Sequence, residues 1–123
     1  MTATAPVRLT SKSTNWFRGL PQKLSEAAKE YKLPETPDWQ PLDELSSQTV
    51  FDGIEVYGDS TVIEDGQLVA PATVYVHLVY DPNSKDPVQF DDSYPARVFY
   101  SVDKENRRVT VNRIDVDTSS FFE

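Results

Sequence analysis

The stretch Thr73-Val74-Tyr75-Val76-His77-Leu78-Val79-Tyr80 constrains the fold more than any other part of the chain. Six of its eight residues are β-branched or aromatic, and none is Asp, Glu, Lys or Arg. That composition suits a pleated, packed surface and predicts a central β-strand. Two further β-rich runs, Ala96 to Val102 and Arg107 to Val116, flank the polar turn Asp103-Lys104-Glu105-Asn106. Together they predict an antiparallel meander.

Upstream, Gln48 to Val69 carries the same character, with Val50, Phe51, Ile54, Val56 and Tyr57 before a turn at Gly58-Asp59-Ser60. Asp65-Gly66 then marks a tight hairpin, because both residues tolerate positive φ. In the last run the apolar phase moves from odd positions, Val109 and Val111, to even ones, Ile114 and Val116. A strand has period two, so one residue must be inserted, and a bulge near Asn112-Arg113 would bend the sheet.

One helix is expected, over about residues 21–32. Leu24, Ala27, Ala28 and Tyr31 make a single apolar stripe, Pro21 suits the first turn, and Lys32-Leu33-Pro34 closes it. Residues 1–14 are polar and without hydrophobic period, and are expected to be a flexible arm. Residues 34–47 contain Pro34, Pro37 and Pro41 and are expected to be a linker free of helix and central strand, with Trp39 covering a sheet edge. The predicted fold is therefore α+β: one N-terminal helix packed on a curled antiparallel meander of about four to five strands. Residues 15–123 would form a single domain whose sheet spans 48–118.

Composition closes off several functions. The 123 residues include no cysteine, so disulfides, thiolate catalysis and Cys-ligated zinc are excluded, in keeping with a reducing, cytoplasmic setting. The N-terminus lacks the apolar core of a signal peptide, and no run approaches the ~20 apolar residues of a membrane span. Four glycines form no phosphate-cradling pattern. The net charge of −8 is uneven: residues 33–103 hold 14 Asp and Glu against Lys85 and Arg97. Such a surface repels phosphate backbones, so direct nucleic-acid binding is not expected, whereas a protein partner with a basic patch is favoured.

No catalytic, metal or cofactor set is assigned. His77 is the single histidine, and a lone strand histidine is usually a satisfied sheet residue. Asp115-Val116-Asp117-Thr118-Ser119 opens like a calcium loop, but Ser120 stands where the sharp turn needs glycine. The candidate binding residues are an acidic set, Asp91, Asp92, Asp103, Asp115 and Asp117, and the aromatic anchors Trp16, Phe17, Trp39, Phe121 and Phe122. The leading expectation is a small acidic interaction module of inhibitor, immunity or assembly type, acting by surface occupation rather than as an enzyme. A first alternative is a ligand-binding or hydrolytic pocket between helix and sheet, lined by Tyr31, Tyr75, His77 and Phe99. A second is a phage or particle structural subunit, and a homo-oligomer is compatible with each.

Overall fold

The computed structural model describes residues 7–8 and 19–122. Helix α1, Leu20–Glu30, follows Gly19, whose φ of 79° lets the chain turn sharply into the helix, with Pro21 in the first turn. Leu20, Leu24 and Ala28 are buried, and Ala27 and Tyr31 pack partly against the same core. The apolar stripe is therefore the face that meets the sheet.

The proline-spaced segment is not the extended linker expected from its sequence. It folds as two 3-10 turns, Leu33–Glu35 and Pro37–Trp39, and a one-turn helix α2, Gln40–Asp43, each with a proline at its first or second position. A missing N–H carries no penalty there, because the first donors of any helix lack an internal partner. Prolines that would break a long helix thus start three short ones. Trp39 is buried and meets the Phe51 ring edge-on at 6.1 Å.

Among the described residues, six strands make one antiparallel sheet: β1 Val7–Arg8, β2 Gln48–Val56, β3 Val62–Glu64, β4 Gln67–Tyr80, β5 Val88–Asp103 and β6 Arg108–Val116. The order is β1-β3-β4-β5-β6, and β2 pairs with the second half of β4. The five longer strands match the expected meander. β1 lies inside the segment expected to be a flexible arm and pairs with Val62 and Ile63; the rest of that segment is outside the described residues. The β3–β4 hairpin turns on Asp65 and Gly66, at φ 51° and 79°, the left-handed pair that a two-residue hairpin requires.

Two bulges among the described residues curl the sheet. Asn112 is skipped between the pairs Phe99–Arg113 and Tyr100–Val111, where the phase change places it. Asp52 is skipped between Phe51–Val76 and Gly53–Tyr75. β5 runs straight through Pro95, whose carbonyl accepts the Asp117 N–H at 2.9 Å. Pro95 lies one residue beyond the last β5–β6 pair, Ala96–Val116, so its missing donor removes no ladder bond.

One sheet face is the core. Leu24, Leu42, Val74, Val76, Leu78 and Val98 have no solvent exposure, and the space between helix and sheet is filled by side chains. The four residues expected to line one pocket are therefore not brought together. Tyr75, His77 and Phe99 occupy the opposite, open face of the sheet, and Tyr31 is separated from them by the core. An open groove of about 600 Å³ does exist beside Tyr31, lined by Ala27, Glu30 and residues 108–111, but none of the other three expected residues reaches it. No helix among the described residues is long and apolar enough to cross a membrane.

Candidate functional site

The open face carries the chemistry. β4 and β5 pair so that His77 stands opposite Asp91, with Gln89 opposite Val79. His77 Nδ1 lies 2.7 Å from Asp91 Oδ1, and Nε2 lies 2.9 Å from Gln89 Oε1. Both ring nitrogens face oxygen acceptors, so the imidazolium, which donates from both, is favoured. The His77 pKa is accordingly raised above its ordinary 6.5, with the Gln89 contact contributing most and Asp91 next.

The third member comes from β2. Val50 pairs with His77 and Gly53 with Tyr75, so the extra residue Asp52 belongs to neither pair and is pushed out of the ladder beside His77. A bulge re-aims a side chain in this way. One ligand atom each from Asp52, His77 and Asp91 lies within 4.8 Å of the others. Three adjacent strands thus converge two carboxylates and an imidazole on one exposed spot.

This donor set fits a divalent cation. Two ligands at ~2.1 Å on adjacent octahedral positions stand ~3 Å apart, close to the 2.7 Å between Nδ1 and Asp91 Oδ1. A cation could therefore replace the proton those atoms share with little movement. Gln89 Oε1 would then hold the remaining Nε2–H, the outer contact that fixes the tautomer of a ligating histidine. The two carboxylates suit a hard cation such as Mg²⁺ or Mn²⁺, whereas the imidazole extends the set towards Fe²⁺ or Zn²⁺.

Further along the same face, Tyr75 and Tyr57 donate their hydroxyls to Glu55 Oε1 at 3.2 and 2.8 Å. Beyond them Phe99 is covered by two guanidinium groups, with Arg113 4.0 Å and Arg97 5.1 Å from the ring centroid. Arg97 also pairs with Glu64, and Arg113 with Asp115 at 3.1 Å.

The acidic set expected from the sequence is not gathered into one face. Asp91 and Asp92 are neighbours on a strand and point to opposite sides: Asp91 joins His77, whereas Asp92 accepts the Tyr94 hydroxyl at 2.7 Å. Asp103 closes the β5–β6 turn by accepting the backbone N–H of Glu105 and Asn106 and the Asn106 side chain, which lowers its pKa. Asp115 is paired with Arg113, and Asp117 accepts the Ser119 N–H at 2.9 Å. Four of the five carboxylates thus have local duties.

Among the aromatic anchors, Trp39 is core, Phe121 packs partly against the core, and Phe122 is 72% exposed. Trp16 and Phe17 lie outside the described residues. Asp52 and Gln89 were not singled out by sequence reasoning. For Asp52 a signal existed: Phe51 is odd while Ile54 and Val56 are even, the same phase change that betrays Asn112.

Comparison with known proteins adds one finding. A family model described as "Predicted pPIWI-associating nuclease" matches residues 18–122. No curated protein and no solved structure matches the chain. Because the match spans well over half of the chain, from residue 18 to residue 122, the chain belongs to the family of predicted pPIWI-associating nucleases.

Proposed function

We propose that this chain hydrolyses phosphodiester bonds at Asp52, His77 and Asp91, on nucleic acid brought to it by a protein partner. The convergence of those three side chains from three strands, within 4.8 Å of one another, carries the reading. The family description, which names both a nuclease and an association, supports it. When bound, a hard divalent cation would neutralise phosphoryl charge and lower the pKa of a bound water. Asp52 and Asp91 would supply the anionic oxygens, His77 Nδ1 would supply the third ligand, and Gln89 would keep the ring oriented. In the hydrolysis the water oxygen joins phosphorus, the ester P–O bond breaks, the water proton leaves through a carboxylate, and the departing oxygen takes a proton from solvent.

The net charge of −8 opposes unaided binding of a polyanion. A partner with a basic surface would hold the nucleic acid, consistent with the word "associating" in the family description. The test is cleavage of labelled DNA and RNA in Mg²⁺ or Mn²⁺, with the chain alone and with a co-expressed pPIWI protein. Cleavage should be abolished by a chelator, by Asp52→Asn and by His77→Ala, and cut about 10- to 100-fold by Gln89→Leu. Cleavage equal in wild type and His77→Ala, or none in any mixture, would overturn the reading.

A second reading has its own support: the strongly acidic segment 33–103 favours an interaction module that occupies a basic partner surface without cutting anything. It predicts a stoichiometric complex whose salt dependence changes when Asp115 and Asp117, or Asp91 and Asp92, are reversed in charge.

A further inference from the structure

We infer that the substrate of this site is single-stranded nucleic acid, with an unpaired base stacked on the exposed ring of Tyr75 beside the reacting phosphate. The inference rests on the hydrolytic reading above and names its substrate class.

Tyr75 is 39% exposed although it lies in the middle of the sheet. The reason is the pair of residues across from it: Gly53 on β2 and Ser93 on β5. Gly53 has no side chain, and a Cβ placed there would meet nothing within 4 Å. The Asp52 bulge brings Gly53 into that register, so the device that delivers Asp52 to His77 also clears the space beside the Tyr75 ring. The hydroxyl is tethered to Glu55, which fixes the ring while leaving its surface open.

Spacing fits a nucleotide step. Tyr75 and His77 share a face two residues apart, ~6.6 Å along the strand, which is close to the distance between successive phosphates of an extended single strand. The next position on the row, Thr73, receives Tyr57, whose hydroxyl is 3.2 Å from Thr73 Oγ1 and whose ring is 42% exposed. Two open rings therefore follow one another away from the cluster. On β5, Arg97 stands six residues from Asp91, ~20 Å away, where it and Arg113, each paired with one carboxylate, end the row. Stacking on such rings needs unpaired bases, because a duplex hides their faces.

The experiment compares Tyr75→Ile, which keeps strand propensity and removes the aromatic face, with Tyr75→Phe, which keeps the face and loses the tether. Thermal melting confirms that both fold. Steady-state cleavage of a single-stranded oligonucleotide and its duplex is measured in Mn²⁺, with the pPIWI protein present if cleavage requires it. Anisotropy of the fluorescein-labelled single strand gives binding, with the pPIWI protein present at fixed concentration because the acidic chain alone is disfavoured. Base stacking is worth ~1–3 kcal/mol, or roughly 5- to 150-fold. Tyr75→Ile should therefore raise KM for the single strand by at least about 5-fold with kcat little changed, and weaken binding by the same factor. Tyr75→Phe should stay within about 3-fold of wild type, and the duplex should be cut poorly by all. A His77-dependent cleavage with KM unmoved by Tyr75→Ile, or equal cutting of duplex and single strand, overturns the inference and leaves the hydrolytic reading standing. Single-strand binding that depends on Tyr75 without any cleavage overturns the hydrolytic reading and keeps the stacking surface. Absence of both cleavage and Tyr75-dependent binding overturns both.

Discussion

Replacing Asp38 with alanine should destabilise the domain by about 2–3 kcal/mol, because one half-buried carboxylate closes two parts of the fold. Asp38 Oδ2 accepts the Tyr31 hydroxyl at 2.6 Å and the Ile114 backbone N–H at 3.0 Å. The first contact holds the end of α1 to the Pro37–Trp39 turn. The second satisfies a donor on the free edge of β6, which would otherwise be unpaired beside the core residue Ile114. Hydrogen bonds to a charged group contribute ~1.5–3 kcal/mol each, and water can replace part of that at a half-exposed site. Tyr31→Phe removes only the first bond and should cost about 1 kcal/mol. In a double-mutant cycle the pair should couple by ~1 kcal/mol, the loss in the double variant being smaller than the sum. Urea unfolding at neutral pH, followed by tryptophan fluorescence, gives these numbers provided that the slopes agree. The same contact has an alkaline signature. Burial, and then Asp38, push the Tyr31 pKa up to about 12. A phenol whose folded pKa is raised keeps its stabilisation below the ordinary value near 10 and loses it as pH rises through the folded value. Wild type should therefore weaken between pH 10 and 12, and Tyr31→Phe should show a shallower slope in that window. A destabilisation by Asp38→Ala below about 0.5 kcal/mol, the range of neutral surface changes, would refute this account of the sheet edge.

Other outcomes follow from the packing and from the cluster. Gly58→Ala should destabilise by about 1–3 kcal/mol, because its Cβ would lie 2.8 Å from the Pro21 Cα, whereas Gly53→Ala should be neutral in a melt. His77, the single histidine, should titrate above 6.5 in the metal-free protein by NMR, and Gln89→Leu or Asp91→Asn should bring it down. Its raised pKa means that its share of stability is full below 6.5 and is lost as pH rises through the folded value. A value below 6.5 would contradict the two contacts drawn for the ring.

The strands were legible where one face is core. Val74, Val76 and Leu78 alternate with open-face residues, and the Asn112 bulge announces itself because Val111 and Ile114 are both buried and three apart. The first half of β5 was not legible. Gln89, Asp91 and Ser93 face the open side, Val88 and Phe90 lie past the end of the core and remain exposed, and Pro95 suggests a strand start rather than a strand interior. The one-turn helices at Pro34, Pro37 and Pro41 were hidden for a related reason: proline is read as a breaker, although it is also a good first residue. The site was least legible of all. His77 is 14 residues from Asp91, and what joins them is the β4–β5 register, set by the seven-residue connection between those strands. Asp52 enters only because a bulge displaces it. No local motif records the register, and only the change of apolar phase between Phe51 and Ile54 marks the bulge.

The response of the His77 imidazole signals to Mn²⁺ reports directly on a cation at this cluster. Only one histidine is present, so the assignment is unambiguous. The paramagnetic ion broadens protons within a few ångströms far more than distant ones. With a cation seated between Asp52, His77 and Asp91, the His77 ring signals should broaden selectively at substoichiometric Mn²⁺ and return on chelation. They should stay sharp in an Asp52→Asn, Asp91→Asn double variant. Sharp wild-type ring signals at millimolar Mn²⁺, or equal broadening in the double variant, would contradict a cation site at this cluster and with it the hydrolytic account.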